Sequence, residues 1–313
     1  MQTKAPFLTI GTRGSPLARA QAEEARRELA AAAGVPESDI AISVFTTSGD
    51  TLTDKPLSEA GGKGLFTKEI EAALIDGAVD VAVHSAKDLE TELPPGLAIG
   101  ACLRREDGRD ALISREGLTL DELPKGARLG TSSIRRMAQM KRYRRDLEII
   151  SFRGNVGTRI RKLDEGLADA TLLAAAGLNR LGEADLVSDY LDPEKFPPAP
   201  GQGVIVLQLR GKDARTTALT ERVNDPRSMI ELAAERAMLA GLDGSCRTPI
   251  GAFSDWTEGT LKLVGEILSP DGKDAWRANA SGAAADAERI GKDVAARIRG
   301  EAGSGFFAAL ARR

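Results

Sequence analysis

The stretch VAVHSAKDLETELPPG, Val81 to Gly96, changes character at its centre. Val81, Ala82 and Val83 read as the end of a parallel strand covered on both faces, which needs no alternation of apolar and polar residues. Then come His84, the only histidine of the chain, and Ser85, Lys87 and Asp88. In open α/β sheets ligands collect beyond the carboxyl ends of strands, so these four polar residues stand where chemistry usually stands. A polar loop that only caps the next turn would look the same within this stretch. The rest of the chain has to decide between them.

Similar apolar runs recur, separated by helical patterns. Leu8–Thr12, Ile40–Thr46, Val79–His84, Leu97–Cys102, Ala111–Ser114, Ala127–Gly130, Leu147–Phe152 and Ala170–Ala174 read as strands. Pro16–Ala33, Thr67–Asp76, Ile134–Arg144 and Thr158–Glu165 read as helices, the first with Ser15 as N-cap and Pro16 at its first position. This alternation predicts parallel sheets flanked by helices. FPPAPGQG, Phe196 to Gly203, is too rich in proline and glycine for regular structure and suits a hinge. Val204–Leu209 after it reads as one more buried strand that rejoins an earlier sheet. From Asp225 the pattern shifts to a helix through Arg236, a hairpin around Ser269-Pro270-Asp271-Gly272 and a final helix, which predicts a small α+β domain. One echo crosses the chain. Ile10-Gly11-Thr12-Arg13-Gly14-Ser15 and Leu129-Gly130-Thr131-Ser132-Ser133 each end a strand and open a helix that carries Ala-Gln. Two such helix N-termini would suit an anion, although the shared residues are common in turns.

Composition bounds the function. At 313 residues the chain exceeds what one hydrophobic core normally serves, so two or three domains are expected. An apolar fraction of 42% with 28% charged residues is that of an ordinary soluble globular protein. A formal net charge of −3 argues against a whole-protein footprint for nucleic acid. No apolar run approaches membrane-spanning length, and Met1 to Phe7 shows no basic-then-apolar signal, so a cytoplasmic location without membrane partners is expected. There Cys102 and Cys246 would be reduced. A single histidine and no paired-cysteine spacing leave no expected metal site.

Basic residues cluster at the turns. Arg13 lies in the first; Arg135 and Arg136 follow Thr131-Ser132-Ser133; Arg153 and Arg159 bracket Gly154-Asn155-Val156-Gly157-Thr158; Arg180 follows Gly177-Leu178-Asn179. A guanidinium grips a carboxylate with two prongs, so arginines at strand ends suit a ligand with several carboxylates or phosphates. The later half of RRMAQMKRYRR, Arg135 to Arg145, reads instead as a solvated helix face, and Tyr143 alone is no stacking platform for nucleic acid. GGKGLFTKEI from Gly61 is not a P-loop, because Lys63 is followed by Gly64. It is either a mobile loop carrying Lys63 and Phe66 over a cleft or a plain surface turn. GLDGSCRTPIG from Gly241 puts Cys246 on an irregular loop beside Arg247, which favours the reactive thiolate. A lone cysteine is otherwise a packing residue.

Together these segments resemble the porphobilinogen deaminase (hydroxymethylbilane synthase) family. The resemblance runs through Gly11-Thr12-Arg13-Gly14-Ser15-Pro16-Leu17-Ala18, Gly61-Gly62-Lys63-Gly64-Leu65-Phe66 and Val83-His84-Ser85-Ala86-Lys87-Asp88. It continues with Arg105-Glu106-Asp107, Arg109-Asp110, Gly130-Thr131-Ser132-Ser133 with Arg135-Arg136, and Arg153-Gly154-Asn155-Val156-Gly157-Thr158-Arg159. Ala199-Pro200-Gly201-Gln202-Gly203 and Cys246 with Pro249-Ile250-Gly251 complete it. Glu90 and Gly108 stand where prolines are usual, Ser245 replaces a glycine, and Arg247 with Thr248 follow the cysteine.

The resemblance implies an α/β fold: two lobes like those of periplasmic binding proteins with a cleft between them, plus a small α+β C-terminal domain. Residues 1–103 and 203–222 would form the first lobe, 104–202 the second, and 223–313 the domain carrying the cysteine. It implies a transferase of porphyrin (tetrapyrrole, haem) biosynthesis that joins four porphobilinogen molecules, releases ammonia at each addition and frees hydroxymethylbilane by hydrolysis. The primer is a dipyrromethane cofactor, held by a thioether to Cys246. Asp88 would be catalytic. Arg13, Ser15, Ser85, Lys87, Thr131, Ser132, Ser133, Arg135, Arg136, Arg153 and Asn155 would bind the cofactor. Lys63, Phe66, Arg13, Arg153, Arg159, Arg180 and Gln202 would bind substrate. His84 receives no catalytic role, and a monomer is expected. A competing reading is a two-lobed module that clamps a small polycarboxylate without turnover, which would need neither Asp88 beside Lys87 nor an accessible thiol.

The thiol makes the first prediction. The purified chain should weigh more than its sequence by one dipyrromethane, and peptide mapping should place the adduct on Cys246. Cys102→Ala should keep adduct and activity, whereas Cys246→Ser should attach it poorly, a hydroxyl being a far weaker nucleophile than a thiolate. An unmodified mass in fully active protein contradicts the assignment.

Overall fold

The computed structural model describes residues 5–51, 64–244 and 248–311. They fall into two compact units, one built from residues up to 106 with 204–229, the other from 107–203 with 230–311.

In the first unit β1 (Leu8–Arg13) runs into α1 (Pro16–Ala33), followed by β2 (Ile40–Phe45), α2 (Ser48–Thr51), α3 (Lys68–Ile75), β3 (Val81–Ser85) and β4 (Leu97–Cys102). The sheet is completed from far along the chain by β10 (Ile205–Arg210), followed by α7 (Ala214–Glu221). The strand order is β2-β1-β3-β10-β4. α1 begins where Ser15 accepts the Ala18 amide and Pro16 needs no donor of its own, and it ends on Gly34, whose φ of 70° suits a residue without Cβ. Its apolar face covers Leu8, Ile10, Val81 and Val83 on one side of the sheet, while Ile70 and Leu74 of α3 cover Ala82 on the other. Coverage of both faces is why β3 is apolar without alternation.

In the second unit β5 (Asp110–Ser114), β6 (Arg128–Gly130), α4 (Ile134–Tyr143), β7 (Glu148–Ile150), α5 (Val156–Asp164), β8 (Ala170–Ala174), α6 (Ala175–Leu181) and β9 (Asp189–Tyr190) build a sheet of order β7-β6-β8-β5-β9. The two sheets share one pairing scheme. β1 and β6 pair in parallel with the strands on both sides of them; β10 and β5 then add antiparallel, and β4 and β9 antiparallel again. The expectation of parallel sheets is therefore corrected to mixed sheets, in each of which four strands run one way and one, β10 or β5, is opposed. An apolar run carries no sign of its direction, and β10 and β5 join from the opposite end of the sheet. The duplicated scheme gives the Gly-Thr echo a structural meaning: it marks equivalent turns, β1 to α1 and β6 to α4.

The C-terminal part begins with α8 (Pro226–Gly241) and continues through β11 (Ile250–Thr257), β12 (Thr260–Leu268), β13 (Ala275–Ala283) and α9 (Ala287–Ala311). The three strands form an antiparallel meander. The hairpin turn lies where Ser269-Pro270-Asp271-Gly272 predicts it, closed by the Ser269 amide on the Asp274 carbonyl. Leu261, Leu263 and Ile267 of β12 meet Met238 of α8 and Ile290, Val294 and Ile298 of α9 in one core. Among the described residues no helix is long and apolar enough to cross a membrane.

β11 runs against the proline-rich segment, with the Ala252 amide on the Pro198 carbonyl at 2.8 Å. A Cβ at Gly251 would lie 2.5 Å from the Pro197 carbonyl oxygen, a backbone atom that cannot swing away. Gly251→Ala should therefore cost about 1–3 kcal/mol in urea unfolding. Gly300→Ala, in α9 where nothing lies within 4 Å of the added atom, should be neutral or stabilising. Equal effects would contradict the close approach.

Candidate functional site

In the first unit the ends of β1 and β3 meet. Thr12 donates to the Ala18 carbonyl at 3.2 Å, which fixes the turn below Arg13. The Gln21 amide of α1 donates to Ser85 Oγ at 2.9 Å and anchors the end of β3, from which a single 3₁₀ turn, Ala86–Asp88, carries Lys87 and Asp88. A pocket opens there, lined by Arg13, Ser15, Gln21, Phe66, His84 and Asp88 among others. Arg13 Nη1 stands 3.6 Å from Asp88 Oδ2, with 30% of the Asp88 side chain exposed, so the carboxylate is restrained but still reachable. The Arg13 guanidinium also lies 4.2 Å from the centre of the Phe66 ring. His84 is buried, and burial pulls its pKa down to about 4, a hydrogen bond with Gln208 opposing and the Arg13 charge reinforcing the shift. It is neutral at neutral pH.

In the second unit the equivalent turn, Thr131-Ser132-Ser133, opens α4. Ser133 caps the helix by accepting the Arg136 amide, and Ser132 accepts the Phe152 amide at 3.0 Å. Asn155 caps α5 by accepting the Thr158 amide at 2.9 Å. Beneath this turn sits Asp110, at the start of β5. Its carboxylate receives Arg135 Nη1 and Arg136 Nη2, each at 2.7 Å, and Gln202 Nε2 at 2.8 Å. Burial alone would raise its pKa, but the charges and hydrogen bonds of Arg135 and Arg136 outweigh burial and hold it far below the usual carboxylate range. Burial, then the like charges of Arg136 and Arg153, pull the Arg159 guanidinium down to about 10, which leaves it protonated at neutral pH. Among the described residues no carboxylate pairs with Arg153 or Arg159, and Arg153 Nη1 is buried without a hydrogen-bond partner. Like charges gathered without a counter-ion are unfavourable unless an anion joins them.

The residues expected from sequence thus fall into two groups. Arg13, Ser15, Ser85, Phe66 and Asp88 line one pocket, with Lys87 in the adjoining turn. Thr131, Ser132, Ser133, Arg136, Arg153, Asn155 and Arg159 belong to the second unit's turns, where Arg180 reaches the Gly203 carbonyl at 3.2 Å. Lys63 and Cys246 lie outside the described residues. Two of the expected residues are buried on partners within the protein. Gln202, expected to contact substrate, is 1% exposed and donates to Asp110 and to the Gly108 carbonyl. Arg135, expected to contact the cofactor, is 5% exposed and committed to Asp110, Gln139 and the Pro197 carbonyl. Both hold the framework of the turn. Asp110 itself drew no role from sequence; a carboxylate heading the run Ala111-Leu112-Ile113 was the available signal. Gln139 drew none either, yet it donates to the Pro197 carbonyl and to Glu266, each at 3.0 Å.

Comparison with known proteins shows the family of the chain. Residues 8–218 match the family model described as porphobilinogen deaminase, dipyrromethane cofactor binding domain, and residues 229–300 match that of the porphobilinogen deaminase C-terminal domain. The chain is 50% identical over 303 residues to the porphobilinogen deaminase of Nitrobacter winogradskyi, covering 97% of this chain and 96% of that protein. Among solved structures, a VFT2 domain of Bordetella pertussis BvgS aligns over 74% of this chain and 91% of its own at 17% identity and TM-score 0.41. The ligand-binding component of an ABC-type import system from Staphylococcus aureus aligns over 75% and 74% at 13% identity and TM-score 0.39. Likeness at that level carries no functional argument.

The two kinds of arginine contact should separate in mutants. Asp110→Ala leaves Arg135 and Arg136 buried without their carboxylate and should cost about 3–5 kcal/mol in urea unfolding. Because the folded-state pKa of Asp110 is depressed, its contribution is present above the ordinary aspartate pKa and fades only as the pH falls below about 4. Arg153→Met removes a like charge, so the cofactor-free chain should be as stable as the parent or more so. A large loss of stability in Arg153→Met would show that its guanidinium serves the fold.

Proposed function

The chain belongs to the porphobilinogen deaminase family, and from that premise we propose that Asp88 is its catalytic carboxylate and that Arg136, Arg153 and Arg159 hold carboxylates of the cofactor and growing chain. It is a transferase of tetrapyrrole biosynthesis, a hydroxymethylbilane synthase, with a dipyrromethane cofactor-binding domain over residues 8–218.

The residues present fit that cofactor. A dipyrromethane built from porphobilinogen carries acetate and propionate groups, and the second unit offers Arg153 Nη1, buried and unpartnered, beside Arg136 and Arg159. That unpartnered donor is the observation that carries the proposal. Thr131, Ser132, Ser133 and Asn155 contribute hydroxyls and an amide at the same turns; Arg13, Ser15, Ser85 and Lys87 do so in the first unit. Cys246 supplies the thioether. When bound, the cofactor supplies the primer to which pyrrole units are added.

Asp88 acts on charge. Its carboxylate accepts pyrrole N–H groups and stabilises the positive charge that develops as ammonia leaves, a preorganised electrostatic role. Arg13 restrains it from 3.6 Å without enclosing it. Arg153, Arg159 and Arg180, with Lys63 and Phe66, bind substrate through its carboxylates and ring. Each addition brings further negative charge, which several guanidiniums can share. The protein acts as a monomer in the cytoplasm without nucleic-acid partners, in keeping with its net charge of −3.

Asp88→Asn keeps size and removes charge. Turnover of porphobilinogen should fall roughly a hundredfold or more, with urea unfolding near that of the parent. Parent-like tetrapyrrole formation by the folded variant would refute the assignment.

A further inference from the structure

A second set of polar residues lies behind the Asp88 pocket. His84 Nε2 meets Gln208 Oε1 at 3.1 Å; Gln208 Nε2 donates to Glu71 Oε1 at 2.9 Å; Thr67 Oγ1 donates to Glu71 Oε2 at 3.1 Å. None of the four is more than 5% exposed. The direction of the chain is forced. The Glu71 carboxylate accepts from the Gln208 NH₂, so the Gln208 carbonyl faces His84, and His84 Nε2 must be the nitrogen that carries the proton.

The fold does not need these groups, and the protein contains the control. Gly11 pairs with Ala82 in the first sheet as Gly130 pairs with Thr171 in the second, so His84 corresponds to Leu173. Ala82 faces Gln208 and Thr171 faces Ile113, so Gln208 corresponds to Ile113. The second sheet builds the same pairing scheme with Leu173 and Ile113 in an ordinary apolar cluster. A buried polar chain is costly wherever it is not fully satisfied, so its presence in one sheet alone calls for a reason.

The two ends of the chain supply that reason. His84 lines the pocket four residues before Asp88, and Thr67 directly follows Phe66. Phe66 carries the Arg13 guanidinium, and Arg13 pairs with Asp88. Two runs of contacts thus adjoin, Asp88, Arg13 and Phe66 toward the pocket and Thr67, Glu71, Gln208 and His84 behind it, joined by the backbone at Phe66-Thr67 and by the short segment from His84 to Asp88. We propose that Gln208 and Glu71 are positioning residues for the reaction, fixing through Thr67 and His84 the Phe66–Arg13 stack that aims Arg13 at Asp88. The inference rests on the reading of Asp88 as the catalytic carboxylate.

The test replaces His84 and Gln208 by their second-sheet equivalents, His84→Leu and Gln208→Ile, combined with Glu71→Leu, in cofactor-loaded protein whose load is checked by intact mass. Misplacement of a supporting shell predicts kcat lower by roughly tenfold to a hundredfold, with KM for porphobilinogen and the unfolding midpoint near those of the parent. In an Asp88→Asn background the same triple change should cost little more, because it acts through Asp88. Glu71→Gln, which keeps an acceptor for Gln208, should retain most of kcat where Glu71→Leu does not. If the triple variant folds poorly, these two single changes carry the kinetic comparison. A readout independent of turnover is ¹⁵N NMR of the sole histidine: the Nε2-protonated tautomer at pH 7 in the parent, and loss of that single tautomer in Gln208→Leu. A folded triple variant with parent kcat, costs that add fully to Asp88→Asn, or an Nδ1-protonated parent histidine would each overturn the inference. Parent-like turnover in Asp88→Asn alone would instead refute the reading on which it rests.

Discussion

One buried carboxylate organises the second unit. Asp110 stands at the head of β5 with two guanidiniums and a carboxamide on it, and each partner comes from a different obligation of the fold. Arg136 also donates to the Leu172 carbonyl of β8, Gln202 ties down the Pro-Gly-Gln-Gly turn, and Arg135 passes through Gln139 to Glu266 of β12. Glu266 is itself buried, and burial raises its pKa against the Gln139 hydrogen bond and the charges of Arg277, Arg135 and Arg142. Helix, sheet, proline-rich segment and C-terminal meander therefore share one polar network. Asp110 takes up Arg135 and Arg136, and among the described residues no carboxylate pairs with Arg153 or Arg159. The local excess of positive charge is a consequence of how the unit is held together, and the proposed hold on carboxylates draws on it.

The duplicated sheet shows how one scheme was given two tasks. Gln21 and Gln139 each stand six residues after the serine that caps their helix, and both tie that helix to something it must not leave: Ser85 in one unit, the Pro197 carbonyl and Glu266 in the other. By register Ile205 corresponds to Asp110, and Asp88 to Gly177. The unit that buries a carboxylate beneath its turn presents arginines, and the unit that places an apolar residue there presents a carboxylate after β3. Neither the backbone scheme nor the caps distinguish them; single substitutions at equivalent positions do.

Much of this was legible in the sequence where local chemistry decides. α1 runs between the Ser15-Pro16 start and the Gly34 stop that the sequence marks. The position of Asp88 just beyond a buried strand, in a pocket lining, was legible because the apolar run ends beside it. α5 starts two residues before the expected Thr158, since Val156-Gly157 looks like a turn until Asn155 is recognised as its cap. α6 follows β8 with no intervening loop and no side-chain cap, and β9 is only two residues long, so neither announces itself. Strand direction was not legible at all. The hold of Asp110 on Gln202 and Arg135 was not legible, because Asp110 lies 92 residues from Gln202 and heads a strand. Polar residues within apolar runs, Asp110 before Ala111-Leu112-Ile113 and Gln208 within Val206-Leu207-Gln208-Leu209, were the signals that periodicity passes over.

The central claim is that these clusters build a chain rather than merely clamp an anion. The most direct measurement is the ratio of ammonia released to linear tetrapyrrole formed when the cofactor-loaded protein meets porphobilinogen. Four ammonia molecules for each hydroxymethylbilane, with no pyrrole unit lost from the protein, is the predicted result. Saturable binding of porphobilinogen without release of ammonia would contradict it.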